Sequence, residues 1–275
     1  MKKILALLLA VLMLCSLAAC SKKDDDNGSG DGINVDAGDK SFSDKANGIG
    51  EFTYDTGADG HYMITGYSTS STKEHEITIP SSIEDVDVTG IADEAFKSLT
   101  TITNVVLPDS ITYIGDYAFA MCDNLTKVTL PDSITSVGKG AFRECKNLKE
   151  VVLSKNLTAI SDQLFWDCTV LEKVTFGTEC KSIGEMAFWN CDALTAVTVP
   201  ASVTEIKAAA FYGCDKLAAV NVPESVTTIG DIAFSNIGAA KVTFTAKKDS
   251  AIEKFFNENY AINEKDYAHY EFVAN

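Results

Sequence analysis

Five of the eight cysteines in this 275-residue chain, Cys122, Cys145, Cys168, Cys191 and Cys214, recur every 23 residues, each three places after a phenylalanine. A thiolate is a soft metal ligand and a nucleophile, so thiols at fixed spacing are candidates for a metal centre, a disulfide framework or redox chemistry. Those chemistries need partners. The three histidines, His61, His75 and His269, all lie outside the region where the cysteines recur, and there is no CxxC pair to complete a zinc site. No HExxH helix, nucleophile elbow or phosphate loop occurs either. The chain therefore reads as a non-enzyme that carries no cofactor and no metal. A second candidate is the residue after the recurring phenylalanine. In three consecutive repeats it is Trp166, Trp189 and Tyr212, which include both tryptophans of the chain. Such a row, if exposed, suits a protein hot spot or a platform for stacking sugars. The alternative, which we favour, is that the rings pack over neighbouring turns and cover a core.

The elements that position these residues are set by the repeat itself. "LTKVTLPDSITSVGKGAFRECKN" is followed by "LKEVVLSKNLTAISDQLFWDCTV", "LEKVTFGTECKSIGEMAFWNCDA" and "LTAVTVPASVTEIKAAAFYGCDK". Phe96, Phe119, Phe142, Phe165, Phe188, Phe211 and Phe234 form one column. All five prolines share another slot once an insertion of about five residues near Glu84 to Val88 is allowed. Proline there ends a strand, because it cannot donate to a ladder. Before it, Val128 and Leu130 alternate with Lys127 and Thr129, as a strand with one buried face requires. A single unit cannot bury its apolar side, but stacked units can, which defines a solenoid. The cysteine slot holds Leu99 in the first repeat and Ile237 in the last, so it asks for a hydrophobe, and a free thiol behaves as one. Cys180 likewise shares its column with Ile111, Ile134, Leu157, Val203 and Val226. The repeated cysteines are therefore core. Ser161 and Lys207 replace the glycine that follows the isoleucine in other repeats, so that slot does not demand a positive φ.

Outside the repeats, Met1-Lys2-Lys3 and the apolar run Ile4 to Leu14 read as an export signal, too short to span a bilayer as a mature helix. The run leads to Leu17-Ala18-Ala19-Cys20, which resembles the lipobox of bacterial lipoproteins; the resemblance implies cleavage before Cys20 and lipid on its sulfur. Removing Lys2 and Lys3, with no acid, takes the formal charge from −16 to −18. Such acidity argues against nucleic acid and for a soluble monomer. The expected organisation is a signal peptide at 1–19, lipidated cysteine and flexible acidic linker at 20–50, an N-terminal β-hairpin cap at 51–75, the solenoid at 76–245 and a C-terminal cap at 246–275. The linker is rich in Asp, Gly, Ser and Asn and would reach about 30 Å as a coil. Asp25 to Asp36 is loosely like a calcium loop, but no helical pattern flanks it, and solvated linker is the preferred reading. In the C-terminal cap, Ser250 and Glu253 have capping-box spacing, Ile252, Phe255 and Phe256 give a helix an apolar face, and a last strand is expected near Tyr270 to Val273.

The unit L-x-x-V-x-L-P-x-x-I-T-x-I-G-x-x-A-F-x-x-C-x-x resembles the BspA-like class of bacterial leucine-rich repeats, in about seven copies between Glu76 and Thr245. Ser154 and Gly177 depart from its proline. The resemblance implies an α/β leucine-rich-repeat solenoid with a parallel β-sheet on the concave side and short strands and helical turns on the other. It also implies an exported surface protein that binds another protein, from a host or from bacteria, and touches the membrane only through Cys20. On the concave strands one outward row is read as Asn104, Lys127, Glu150, Lys173, Ala196, Ala219 and Lys241. The next is Val106, Thr129, Val152, Thr175, Thr198, Asn221 and Thr243. Lys127, Glu150 and Lys173 should satisfy one another across rungs about 4.8 Å apart. The threonine row is first of all good strand material. The candidate ligand positions are thus Trp166, Trp189, Tyr212, Lys127, Thr129, Glu150, Lys173, Thr175, Thr198 and Asn221, with a glycan as the alternative ligand and a passive structural protein as the third reading.

Overall fold

The computed structural model describes residues 40–43, 50–238, 241–260 and 270–274. The export signal, Cys20, the Asp25–Asp36 segment and His269 lie outside the described residues. The chain winds as a solenoid with two strand faces and one side of turns. The long-strand face begins with a parallel sheet of His75–Thr78, Ile102–Val106, Lys127–Thr129, Glu150–Val152 and Lys173–Thr175. It resumes as Ala196–Thr198, Ala219–Asn221, Val242–Ala246 and Tyr270–Ala274. The second face is a row of two-residue strands from Tyr113–Ile114 to Thr228–Ile229, also parallel.

Three strands open the fold. β1 (Lys40–Ser43), β2 (Gly50–Thr56) and β3 (Tyr62–Thr69) are antiparallel neighbours, and β3 then pairs in parallel with Val86–Ile91. The expected hairpin cap is present as β2 and β3. The expected flexible linker is corrected at Lys40–Ser43: the outer edge of β2 offers unpaired amides and carbonyls, which recruit even a polar segment as a strand. The inserted residues fold as a small hairpin, with Ser82–Ile83 paired to Val86–Ile91 and Glu84 and Asp85 both at positive φ.

The turn side is where the repeat's consensus residues act. Phe96 through Phe234 are fully buried, and successive rings lie 4.8–5.9 Å apart as stacked pairs. Around each ring the helical turns are single turns closed by i→i−3 bonds, such as Ala120 N–H to the Tyr117 carbonyl and Leu125 N–H to that of Cys122. A third backbone ladder runs rung to rung here, with Tyr117, Phe119 and Met121 donating to Lys139, Ala141 and Arg143. The geometry requires left-handed residues two places before and two after each phenylalanine: Tyr117 and Met121 flank Phe119, and Met186 and Asn190 flank Phe188. The glycines after the isoleucines do not serve this purpose. They permit close approach, since a Cβ on Gly115 would stand 2.5 Å from the Asp93 amide.

At the C-terminal end, α1 (Ala251–Tyr260) buries Ile252 and Phe255 over Phe234, and Tyr270–Ala274 closes the sheet in parallel beside Val242–Ala246. The expected capping box between Ser250 and Glu253 does not form. Glu253 accepts instead from the amide of Asp249, a residue at positive φ, while Ser250 Oγ is buried without a partner among the described residues.

Candidate functional site

The sulfur column is the first candidate, and its geometry is that of packing. Cys122, Cys145, Cys168, Cys191 and Cys214 are free, and each is fully buried. Each Sγ lies 3.1–3.3 Å from the carbonyl of the phenylalanine in the preceding coil and donates to it. In these five coils the slot holds a hydrophobe that also donates to an inward-facing turn carbonyl, a bond that Leu99 and Ile237 do without. That bond was invisible in the sequence, where Leu99 and Ile237 suggested only apolarity. Burial pushes the Cys122 and Cys168 thiols up to about 12 and raises those of Cys145, Cys191 and Cys214 well above the usual thiol range. At neutral pH these sulfurs stay protonated and unreactive.

The aromatic row is assembled as a row. Trp166 and Trp189 have ring centroids 5.8 Å apart, Trp189 and Tyr212 stack at 4.1 Å, and the Arg143 guanidinium sits 4.3 Å over Trp166. All three rings are half-buried. Trp189 stacks on Tyr212 with one face and is tilted at 38° to Trp166, and Arg143 covers one face of Trp166. A sugar stacks on an open face, and these contacts compete with it for the faces of Trp166 and Trp189.

On the long-strand face, Glu150 lies between Lys127 and Lys173, with oxygens 3.2 and 3.0 Å from the two ammonium groups. Hydrogen bonds from Lys173 and then Lys127 hold the Glu150 carboxyl below the usual carboxylate range. The neighbouring row reads Thr78, Val106, Thr129, Val152 and Thr175 on the first sheet and Thr198, Asn221, Thr245 and Val273 on the next. None of these nine residues is charged. Thr129, Thr175, Thr198 and Asn221 are exposed and make no side-chain hydrogen bond among the described residues. The two large hydrophobic side chains that stand exposed among the described residues, Val106 at 41% and Val273 at 42%, belong to this same row.

The expected register fails in one place. Thr243, not Lys241, stands beside Ala219, and Thr245 stands beside Asn221. The last coil is one residue longer than the period, and Val242, Phe244 and Ala246 turn inward to keep the core filled. Lys241 remains outside and pairs with Glu271 at 2.8 Å.

Sequence reasoning also missed how acids bond one coil to the next. Asp93, Asp116 and Asp162 each accept the backbone amide 23 residues on, at 2.7, 2.6 and 2.8 Å. Their recurrence after Ile-Ala, Ile-Gly and Ile-Ser was a signal that could have found them. Of the histidines, His61 pairs with Asp59 in the β2–β3 turn, and buried His75 contacts Tyr67 and the Lys73 carbonyl. They build no common site.

Residues 62–195 and 181–268 match the model of the BspA-type leucine-rich repeat region, in six copies. Among solved structures, the chain is similar to a leucine-rich repeat protein of T. pallidum, with 26% identity over 82% of this chain and 97% of that one and a TM-score of 0.63. A leucine-rich repeat protein from Eubacterium ventriosum shares the fold at 23% identity, over 69% of this chain and 50% of that one, with a TM-score of 0.59. No curated protein matches the chain.

Proposed function

The chain belongs to the BspA-type leucine-rich repeat family, and from that premise we propose that it is a protein-binding module held at a bacterial surface by lipid on Cys20. The observation that supports this reading is the uncharged outward row from Thr78 to Val273. In a chain of formal charge −16 it presents a strip of β-branched and amide side chains without side-chain partners of their own. Desolvating such a strip costs little, and its exposed Val106 and Val273 supply apolar contact. The ion-paired Lys127–Glu150–Lys173 row beside it gives a polar rim. Repeat scaffolds of this family are generally not enzymes, and we assign no catalytic role.

The test displays the soluble chain from Gly38 onward against purified host-matrix and bacterial surface proteins, and in parallel against a glycan array. The expected result is saturable binding to a protein and none to glycans. Binding to glycans alone, lost in Trp189→Ala, would replace this reading; binding to nothing would leave a passive surface protein. For the anchor, the native chain should incorporate labelled fatty acid in a bacterial host and Cys20→Ala should not. Absence of label on the native chain, or equal label on both, would refute lipidation at that sulfur.

A further inference from the structure

The stacking of the phenylalanine column is not uniform along the solenoid. Phe96, Phe119 and Phe142 are nearly parallel, with angles of 4° and 3°, and so are Phe188, Phe211 and Phe234, with 3° at both steps. Between these sets Phe165 is set off, 5.9 Å and 13° from Phe142 and tilted 23° to Phe188.

The two strand faces break on opposite sides of the coil carrying Phe165. The long-strand sheet ends at Lys173–Thr175 and starts again at Ala196–Thr198, and the short-strand sheet ends at Ser136–Val137 and starts again at Ala159–Ile160. Leu130, Leu153 and Val199, each the residue after its strand, donate to the next coil; Phe176 makes no such bond to Thr198, and neither does Leu107 to Thr129. The sequence explains the break. Phe176 fills a slot that holds Leu107, Leu130 or Val199 in other coils, and its larger ring lies edge-on to Phe188 at 5.9 Å. Val174 is correspondingly less buried than Val128, Val151 or Val197. On the short-strand face, Ser161 replaces glycine, and its hydroxyl, rather than a backbone amide, reaches the Val137 carbonyl.

The turn side stays continuous across the same coil. Gly140, Phe142 and Glu144 donate to Asp162, Leu164 and Trp166, and Gln163, Phe165 and Asp167 donate onward to Glu185, Ala187 and Trp189. Outside this ladder lies the row Arg143–Trp166–Trp189–Tyr212, which crosses the irregular steps and ends within the second regular stack.

We propose that the solenoid is jointed: two regular stacks meet at the coil carrying Phe165 and flex about the turn side, which the aromatic row braces, so that the long-strand face opens and closes between Thr175 and Thr198. The row then has a mechanical role, which accounts for the contacts along it. A backbone ladder resists separation of coils through every amide it pairs, and each junction beside the Phe165 coil keeps two of its three ladders while other junctions keep all three, so this coil is the compliant one. Bending there changes the spacing between the two halves of the uncharged row without disturbing either half.

Hydrogen–deuterium exchange on the native chain tests this. Amides in 172–177 and 193–199 should exchange roughly tenfold or more faster than those in 126–131 and 218–223, while 163–167 stay slow. Phe176→Leu, which removes the wedge, should slow 172–177 toward its neighbours. Uniform exchange along the long-strand face would show a single rod. Exchange at 163–167 as fast as on the strand faces would show local unfolding, and would equally overturn the joint. Should Phe176→Leu fold poorly, the comparison within the wild-type chain decides alone.

Discussion

Asp192 is the carboxylate whose surroundings oppose its charge. Burial first, and then Asp215 and Asp167, push its carboxyl above the usual range. A raised folded value means that the native state holds the proton more tightly than the unfolded chain does. Asp192 therefore costs the fold nothing at low pH, and the cost appears as pH rises through the unfolded and then the folded value. Asp192→Asn should raise the melting temperature at pH 7 and leave it unchanged near pH 3. A gain of equal size at both values would mean that packing, not charge, is responsible. Glu150 has the opposite sign: its lowered value is stabilising above the carboxylate range and is lost as pH falls through it. The Glu150 partners were legible in the sequence as one outward row, whereas the Asp192 shift was not, because it depends on burial and on the acids that the coil brings to adjacent rungs. The thiols were half legible. Their column and apolar company declared core, but the carbonyl each one meets lies 26 residues back, and only the folded turn reveals it.

At the scale of the coil, three kinds of contact hold each turn to the next. The phenylalanine column supplies apolar burial, the ladders supply backbone bonds, and residues such as Asp116 and Thr112 add side-chain latches, the latter donating to the Thr89 carbonyl at 3.1 Å. Their magnitudes differ. Phe142→Ala should cost about 3–5 kcal/mol through lost transfer energy and a cavity that flanking rings cannot fill. Asp116→Ala should cost about 1 kcal/mol, since one hydrogen bond to an exposed amide is lost. Urea denaturation of the two variants checks the ordering; equal losses would mean that the latches, not the column, carry the stack. This level was the most legible one. A period of 23 fixes which residues repeat, and hydrophobic alternation fixes which of them point inward. The period failed where the chain departs from it, at the hairpin formed by Glu84 and Asp85 and at the longer last coil that shifts Thr243 into the row expected for Lys241. A side-chain pattern also cannot announce an interrupted ladder, since Phe176 is as apolar as the leucine it replaces.

For the whole molecule, the strip we propose for a protein partner is the uncharged row of the long-strand face, set among the described residues of an acidic chain whose repeated sulfurs are buried. The candidate residues divide accordingly. Thr129, Thr175, Thr198 and Asn221 stand in that strip, Lys127, Glu150 and Lys173 border it, and Trp166, Trp189 and Tyr212 lie with the turns. The measurement that decides the matter is a titration of the protein partner against Thr175→Arg/Thr198→Arg and, separately, against Lys139→Glu, which alters an exposed position at the edge of the turn side. The account predicts at least tenfold weaker binding for the first, a loss of about 1.4 kcal/mol or more, and unchanged binding for the second. Full affinity in the Arg pair, with native melting behaviour, would contradict it.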